Sequence, residues 1–430
     1  MKRKQKKWIL IAAVFFCIIP AVSAQTVLSV EEAVRLGLEN NLSLERTKLE
    51  TDQKKRESNR SWNGLIPSVS ASASASHATT LIGDPSPASI DEWIPGFSLS
   101  ASMTLTTSIF TNIEQARLQY QAGLISYETA RQTLELQVRK AFYQLLLLEA
   151  NISLTEQSIG TAQSRYDQTA ALARHGQASA LEELSARVDL ENMKPTLRTV
   201  QSGYNNALES FKQVIGIPLD EEITLAGSLD DTISFINTEN IQKNGESASV
   251  TSLRMSLEII EAQLKAAKLQ AYTPSVSVSW NTSPSYSNST WSDSGSFTAR
   301  LTFSLDSLLP WSATKTQIDS LKTSVAIYQS NLAEAKMNSD LQVRQLVRTI
   351  EQSLETIEAL KLNVDLAEQS YAMYEESYQK GTTDLQNLRS AADSLSTAQN
   401  RVQEELYNLL SATLDLENEL NVPFGTLGRI

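Results

Sequence analysis

The sequence predicts a mainly α-helical protein with a transmembrane β-barrel, built from two internal repeats. The repeat is directly visible, because the segment Leu136-Gln137-Val138-Arg139 recurs as Leu341-Gln342-Val343-Arg344. Two further pairs of landmarks share the same shift, and they are Gly176 with Gly381 and Pro218 with Pro423. A common offset at separate landmarks indicates duplication of one supersecondary unit.

Apolar residues within each repeat recur at alternating steps of three and four, which is the spacing of one face of an α-helix. In the second repeat this stripe precedes Gly381 and resumes after it, and the first repeat has the same plan around Gly176. Glycine at such a junction favours the left-handed backbone conformation that ends a helix. We therefore predict two long antiparallel helical hairpins, over residues 107–218 and 310–421, with their tips at the glycines.

A two-residue alternation of small hydroxyl residues and apolar residues replaces the helical period in residues 67–106 and again in residues 274–309. Such alternation is typical of β-strands with two unlike faces. Each segment is interpreted as a transmembrane β-hairpin, because strands of about 9 to 11 residues cross a bilayer when tilted. Tryptophans near the strand ends fit an interfacial girdle, and they are Trp93, Trp280 and Trp291. For the strands alone, a soluble sandwich or a Ser/Ala ribbon is the alternative.

The two β-hairpins of one chain are too few to close a barrel, because barrels begin at about eight strands. A lone sheet in lipid would leave unpaired backbone groups at both edges, each costing several kcal/mol. Symmetric association of several chains removes those edges. We expect three copies, which together would form a trimeric twelve-stranded barrel.

Residues 1–24 are predicted to be a secretory signal peptide, since basic residues precede a short apolar run and Val22-Ser23-Ala24 supplies small cleavage positions. An uncleaved anchor is the alternative. Cys17 lies inside that run, so the exported chain would have no disulfide. No later segment offers ~18 consecutive apolar residues, so we expect no membrane-spanning helix. With 37 basic against 49 acidic residues, the charge argues against a nucleic-acid partner.

The remaining segments connect the repeats. They are expected to be an N-terminal helix over residues 25–66 that runs past Asn40-Asn41, an irregular equatorial linker over residues 219–249, a helix over residues 250–273 and a C-terminal tail over residues 422–430. The linker and the tail are expected to pack together as a belt around the long helices. A kink or break is predicted near Lys194, because Pro195 removes a backbone hydrogen bond inside a helix at a cost of ~3 kcal/mol.

Residue patterns for catalysis are absent from the sequence. His77 and His175 are the only histidines, and neither lies in a zinc-type spacing with other ligands. Serine is abundant, but it does not occur in a Gly-x-Ser-x-Gly motif, and there is no glycine-rich phosphate loop. We therefore predict that the protein is not an enzyme and uses no metal and no cofactor.

The order of these segments, together with the N-terminal stretch Ser29–Asn41, resembles the TolC-like outer-membrane efflux protein family over essentially the whole exported chain. The resemblance implies a homotrimer whose barrel in the outer membrane continues as a twelve-helix α-barrel in the periplasm. It implies outer-membrane lipid, a periplasmic adaptor protein and an inner-membrane pump or ATPase as partners.

The implied function is the outer-membrane channel component of a tripartite efflux or type I secretion system. Such a channel is a passive export duct gated at its periplasmic helix tips. The resemblance does not distinguish between drugs, metal ions and polypeptides as the cargo. The alternative is an exported trimeric coiled-coil structural or adhesive protein.

The helix-tip signature of that family is matched around the two glycines. The residues implied to form the periplasmic tip and to contact the adaptor are Gly176, Leu181, Leu184, Gly381, Leu385 and Leu388. Acidic positions that ring the family's entrance fall on Asn387 and Ser390, which departs from the family pattern. Neighbouring carboxylates could replace them, so the candidate aperture residues are Glu182, Glu183, Tyr378, Asp384 and Asn387.

Overall fold

The fold consists of two long helical hairpins with shorter helices and one sheet at the opposite end. The structure is a computed structural model that describes residues 26–77, 93–229, 234–236, 246–287 and 290–429. The helices are α1 (Val30–Asn40), α2 (Leu42–Arg60), α3 (Thr107–Arg174), α4 (Ala180–Ile215), α5 (Ala248–Tyr272), α6 (Ala313–Gln379) and α7 (Leu385–Glu419). The strands are β1 (Thr26–Leu28), β2 (Ser68–Ser76), β3 (Ile94–Leu105), β4 (Ile223–Leu225), β5 (Ser234–Ile236), β6 (Ser275–Thr282), β7 (Ser285–Ser287), β8 (Thr290–Ser292), β9 (Gly295–Thr302) and β10 (Gly428–Arg429).

The longest helices, α3 and α6, set the length of the molecule. With 68 residues, α3 extends over about 100 Å at about 1.5 Å per residue. Helix α4 packs along α3, and α7 packs along α6. Helices α2 and α5 also pack against α3, and α5 packs against α6. Among the described residues, no helix combines the length and the apolar character needed to cross a bilayer.

The N-terminal segment is not one helix, so the single helix expected over residues 25–66 is wrong. It contains β1, α1 and α2, followed by a 3-10 turn at Ser61–Leu65. The break falls at Asn41, whose backbone is extended and whose Oδ1 accepts from the Ser43 and Leu44 N–H groups at 2.9 and 3.0 Å. Its Nδ2 donates to the Val214 carbonyl oxygen at 2.8 Å. Asparagine favours such N-cap positions, because its side chain satisfies donors that the helix leaves free.

Helix α4 is continuous across Pro195, so the break predicted near Lys194 is wrong, while a kink there stays a prediction. The proline leaves one backbone hydrogen bond unmade within a helix of 36 residues. Lys194 Nζ donates to Glu191 Oε1 at 2.8 Å beside this point. The packing of α4 along α3 offsets the local cost, because most helical stability in proteins comes from tertiary contacts.

Strands β2, β3, β6 and β9 form consecutive antiparallel pairs in one sheet. The segment 274–309 is more than the simple hairpin expected. It contains the added strand pair β7–β8, β9 already ends at Thr302, and a 3-10 turn follows at Asp306–Leu308. Tyr286 and Trp291 face each other across the added pair with ring centroids 5.5 Å apart, and this aromatic contact stabilises it.

The register of the sheet separates apolar from hydroxyl side chains. On the apolar face, the residues opposite one another across the four strands are Val69, Ala101, Trp280 and Phe297. On the other face, serine hydroxyls of β2 and β3 lie 2.7 to 2.9 Å apart, and these pairs are Ser68 with Ser102, Ser70 with Ser100 and Ser72 with Ser98. Within the described residues, β2 and β9 each pair on one side only.

The core lies midway along the helices, where short strands from distant segments meet them. β1 pairs in parallel with β4, and β10 of the tail pairs with β5 of the linker. The buried Glu417 carboxylate of α7 accepts from the Gly425 and Leu427 N–H groups at 2.9 and 2.8 Å. Burial raises the pKa of Glu417, while these hydrogen bonds and the charge of Arg139 oppose the shift. The tail is thereby attached to α7.

Candidate functional site at the helix tips

The two hairpin tips have the same backbone turn. In the first tip, Gly176 has φ +72, its N–H donates to the Ala173 carbonyl oxygen at 3.0 Å, and the Gln177 N–H donates to that of Leu172 at 2.9 Å. In the second tip, Gly381 has φ +72, its N–H donates to the Tyr378 carbonyl oxygen at 3.0 Å, and the Thr382 N–H donates to that of Ser377 at 2.9 Å. This pair of bonds is the Schellman motif, which satisfies carbonyl groups at a helix end. The repeated glycine therefore specifies a repeated turn.

The helices that follow the turns are capped differently. Ser179 caps α4 in a reciprocal arrangement: its N–H donates to Glu182 Oε2 at 2.6 Å, and the Glu182 N–H donates to Ser179 Oγ at 3.2 Å. Asp384 caps α7 alone, since its Oδ1 accepts from the Asn387 N–H at 2.9 Å. Both caps satisfy donors in the first helical turn. Two of the candidate aperture carboxylates, on Glu182 and Asp384, thus stabilise the tips that carry them.

The leucines predicted to contact an adaptor are divided between solvent and core. Leu181 is 75% exposed and Leu184 is 58% exposed in the first tip. In the second tip, Leu385 is 9% exposed and Leu388 is 1% exposed. A buried leucine stabilises its helix pair, whereas adjacent exposed leucines are available for contact with another molecule. The structure therefore gives the two tips different surfaces.

The remaining aperture candidates have separate surroundings. The Tyr378 hydroxyl lies 3.0 Å from Thr169 Oγ1, and Thr169 is completely buried, so this contact joins α6 to α3. Asn387 Nδ2 donates to Thr383 Oγ1 at 3.4 Å on the surface. Glu183 lies in the first turn of α4 and is partly exposed. Within the described residues, no hydrogen bond or ion pair connects Glu182 or Glu183 with Asp384.

One connection between the hairpins was not predicted from the sequence. Arg389 of α7 and Asp189 of α4 form an ion pair at 2.6 Å, and Arg389 also lies 3.8 Å from Asp393. Together with the contact between Tyr378 and Thr169, this pair links the two hairpins close to their tips. No signal in the sequence reveals it, because the repeat offset does not relate the two residues. The part of the chain that the structure describes holds no cluster of three or more potential metal ligands.

Comparison with known proteins identifies the family. The family model described as Outer membrane efflux protein matches residues 33–217 and 244–422. The outer membrane protein TolC of Salmonella enteritidis is 24% identical over 347 residues, which cover 76% of this chain and 69% of that protein. TolC of Escherichia coli (strain K12) is 23% identical over 341 residues, covering 75% of this chain and 69% of that protein.

Solved structures share the fold. The Campylobacter jejuni CmeC outer membrane channel superposes with a TM-score of 0.76 at 15% identity, covering 91% of this chain and 85% of that one. The open state of the Neisseria gonorrhoeae MtrE outer membrane channel superposes with a TM-score of 0.74 at 18% identity, covering 91% of this chain and 89% of that one. The mainly helical fold with a sheet is thus that of these channels, and the resemblance stated from the sequence is confirmed. The matched ranges include both repeats, so this chain belongs to the outer membrane efflux protein family and has that family's outer-membrane location and efflux function.

Proposed function

We propose that three copies of this chain form one continuous passive export duct, the outer-membrane component of a tripartite efflux or type I secretion system. The observation that carries the proposal is a sheet with two free edges, β2 and β9. Unpaired backbone groups at such edges cannot remain in lipid. Since consecutive strands alternate in direction, β9 of one copy is antiparallel to β2 of the next. Identical copies can therefore close a twelve-stranded barrel in the ordinary antiparallel pattern.

The two faces of the sheet support this arrangement. The apolar side chains of Val69, Phe297 and Leu301 are exposed within the single chain, on a face whose one polar strand residue, Thr282, lies at the end of β6. Burial of such side chains in the hydrocarbon of a bilayer is favourable, and the serine face would then line a water-filled lumen. The alternation of strand side chains thus fits lipid outside and water inside.

Aromatic side chains lie at both ends of the strands. Trp93 and Trp291 are exposed at the end distant from the long helices. Three aromatic residues are exposed at the junction with the helices, and they are Trp62 in the 3-10 turn before β2, Phe110 in the first turn of α3 and Trp311 just before α6. Aromatic residues favour the two interfaces of a membrane. The junction group was not predicted from the sequence, because its members lie outside the alternating strand pattern.

The helical hairpins would continue the duct into the periplasm as a twelve-helix barrel. Exposed Leu181 and Leu184 favour the first tip as the contact with a periplasmic adaptor, and an inner-membrane pump or ATPase would supply the energy. The gate lies at the tips, where the links between Arg389 and Asp189 and between Tyr378 and Thr169 hold the hairpins together. If Glu182, Glu183 and Asp384 surround the mouth, their charge favours cations there.

Disulfide crosslinking between edge strands tests the trimeric barrel. Ala71→Cys on β2 is combined in turn with Phe297→Cys, Ala299→Cys or Leu301→Cys on β9, and outer membranes are oxidised. At least one combination should give covalent dimers and trimers on a denaturing gel, because the two edges meet between copies. The control combines Ala71→Cys with Val278→Cys. This variant should stay monomeric, because β6 lies inside the sheet and is paired on both sides. Monomers with every edge combination would refute the proposal.

A further inference from the structure

Among the residues that the structure describes, Arg300 is the only charged residue in the strands of the β2–β3–β6–β9 sheet and its β7–β8 extension. Apart from Ile94 at the far end of β3, the other side chains of its face in the four main strands are hydroxyl or amide groups, including Thr298 and Thr302 on the same strand. An isolated charge on a face without other charges dominates the electrostatic potential of that face. Arg300 lies outside the helix-tip signature and is not one of the repeated landmarks, so neither feature explains why an arginine occurs there.

The strand register fixes the position of Arg300. It lies opposite Ser277 of β6, which in turn lies opposite Thr104 of β3. The neighbours of Arg300 along β9 are Ala299 and Leu301, which point to the other face and lie opposite valines of β6. Arg300 therefore belongs to the hydroxyl face, two residues before the strand ends on the side of the long helices.

Arg300 is exposed and has no ion pair or hydrogen bond from its side chain within the described residues. An unpaired guanidinium is costly on the lipid face of a membrane strand, and less costly toward a water-filled lumen. The position of Arg300 on the hydroxyl face and its lack of an ion-pair partner both fit a side chain that faces a water-filled lumen. A free charge in a lumen is available to act on the solutes that pass.

We propose that the Arg300 side chains of three copies form a ring of positive charge at the helix-proximal end of the barrel lumen, and that this ring favours passage of anionic solutes. This inference rests on the proposed trimeric barrel. The described strands supply no opposing charge, and the nearest carboxylate along the chain is that of Asp306, in the 3-10 turn after β9. Salt and water reduce the field of the ring further. Carboxylates at the tips and arginines in the barrel would give the two ends of the duct opposite charge.

A reporter cysteine measures the potential at the ring. Ser277→Cys places a thiol directly opposite Arg300. Its rates of modification by an anionic and by a cationic methanethiosulfonate reagent are compared in outer-membrane vesicles, with and without Arg300→Ala. Loss of the arginine should lower the ratio of anionic to cationic rates at least about threefold at low salt, and the effect should shrink in 1 M salt. Arg300→Lys retains the charge and should keep the ratio, whereas Arg300→Gln should behave as Arg300→Ala does.

The outcomes separate this inference from the proposed function. An unchanged ratio in both neutral variants, with Ser277→Cys reactive, would overturn the charged ring and leave the barrel intact. A cysteine at Val278, on the apolar face, should be protected by lipid. If Val278→Cys reacts and Ser277→Cys does not, the orientation of the sheet is wrong and the proposed duct fails with it. Denaturant-resistant trimers of each variant, checked on gels, exclude misassembly as the cause of a lowered ratio.

Discussion

The two hairpin tips share a backbone turn and differ in their helix caps and in the burial of their leucines. Gly176 and Gly381 have the same φ and lie in the same pair of helix-ending hydrogen bonds. After the turn, the first tip exposes its leucines, while the second tip buries them. The same turn thus occurs in both repeats, because the glycine that specifies it is a local sequence signal present in both. The leucines do not occupy equivalent positions, because they follow Gly176 by five and eight residues and Gly381 by four and seven. They therefore lie on different faces of their helices, and only the face of α7 that carries Leu385 and Leu388 is buried.

The difference in leucine burial leads to the largest expected effect. Leu388→Ala should destabilise the second tip by about 2 to 4 kcal/mol, because it removes a fully buried side chain and leaves a cavity. Leu184→Ala is the matched control, and it should change stability by less than about 0.5 kcal/mol. Hydrogen exchange of the α7 and α4 amides measures both local stabilities. Equal losses at the two tips would contradict the contrast in burial.

Substitution of the two glycines examines what the tips have in common. Gly176→Ala and Gly381→Ala should each cost about 1 to 2 kcal/mol, because an L residue is strained at φ +72 even though the space around both glycines is open. Gly203→Ala is the control, since Gly203 lies inside α4 with open space around it, and it should stabilise by about 0.5 to 1 kcal/mol. Thermal unfolding followed by circular dichroism compares the three variants. A loss at only one tip would show that the turns are not equivalent.

The ion pair between the hairpins should give the smallest effect. Asp189→Asn should cost less than about 1 kcal/mol, because Arg389 is half-exposed and water screens the pair. The loss should decrease further at high salt. Asp319→Asn serves as the control, because Asp319 pairs with Lys322 inside one helix and links nothing. Faster hydrogen exchange in both α4 and α7 for Asp189→Asn alone would support a role in joining the hairpins, and equal behaviour of the two variants would argue against it.

The features that the sequence predicted well have a local cause. Helical spacing on both sides of a glycine predicts a hairpin tip at that glycine, and both tips have the left-handed turn there. The predictions that failed concern places where local conformational preference competes with tertiary contacts. Pro195 weakens α4 locally, but packing keeps the helix continuous, and Asn41 ends α1 because its side chain caps the next helix.

The candidate site was only partly visible in the sequence. The tip positions follow from the repeat and the family resemblance, and their roles in gating and adaptor contact stay predictions. The pair of Arg389 with Asp189 required the structure, because it brings together residues from distant segments. The exposure of Trp62, Phe110 and Trp311 at the junction also required it. Spacing along one segment carries no information on such contacts.

By itself, the sequence determined the elements of this protein: period-3.6 stripes for the long helices, period-2 alternation for the strands and glycine for the turns. Each depends on interactions within a few residues, so each can be predicted from a short stretch. Only the tertiary structure decided which leucines are buried, that Arg389 pairs with Asp189 and which residue of β6 lies opposite Arg300. These properties depend on neighbours that are remote in the chain, and burial and charge pairing are set where those neighbours meet.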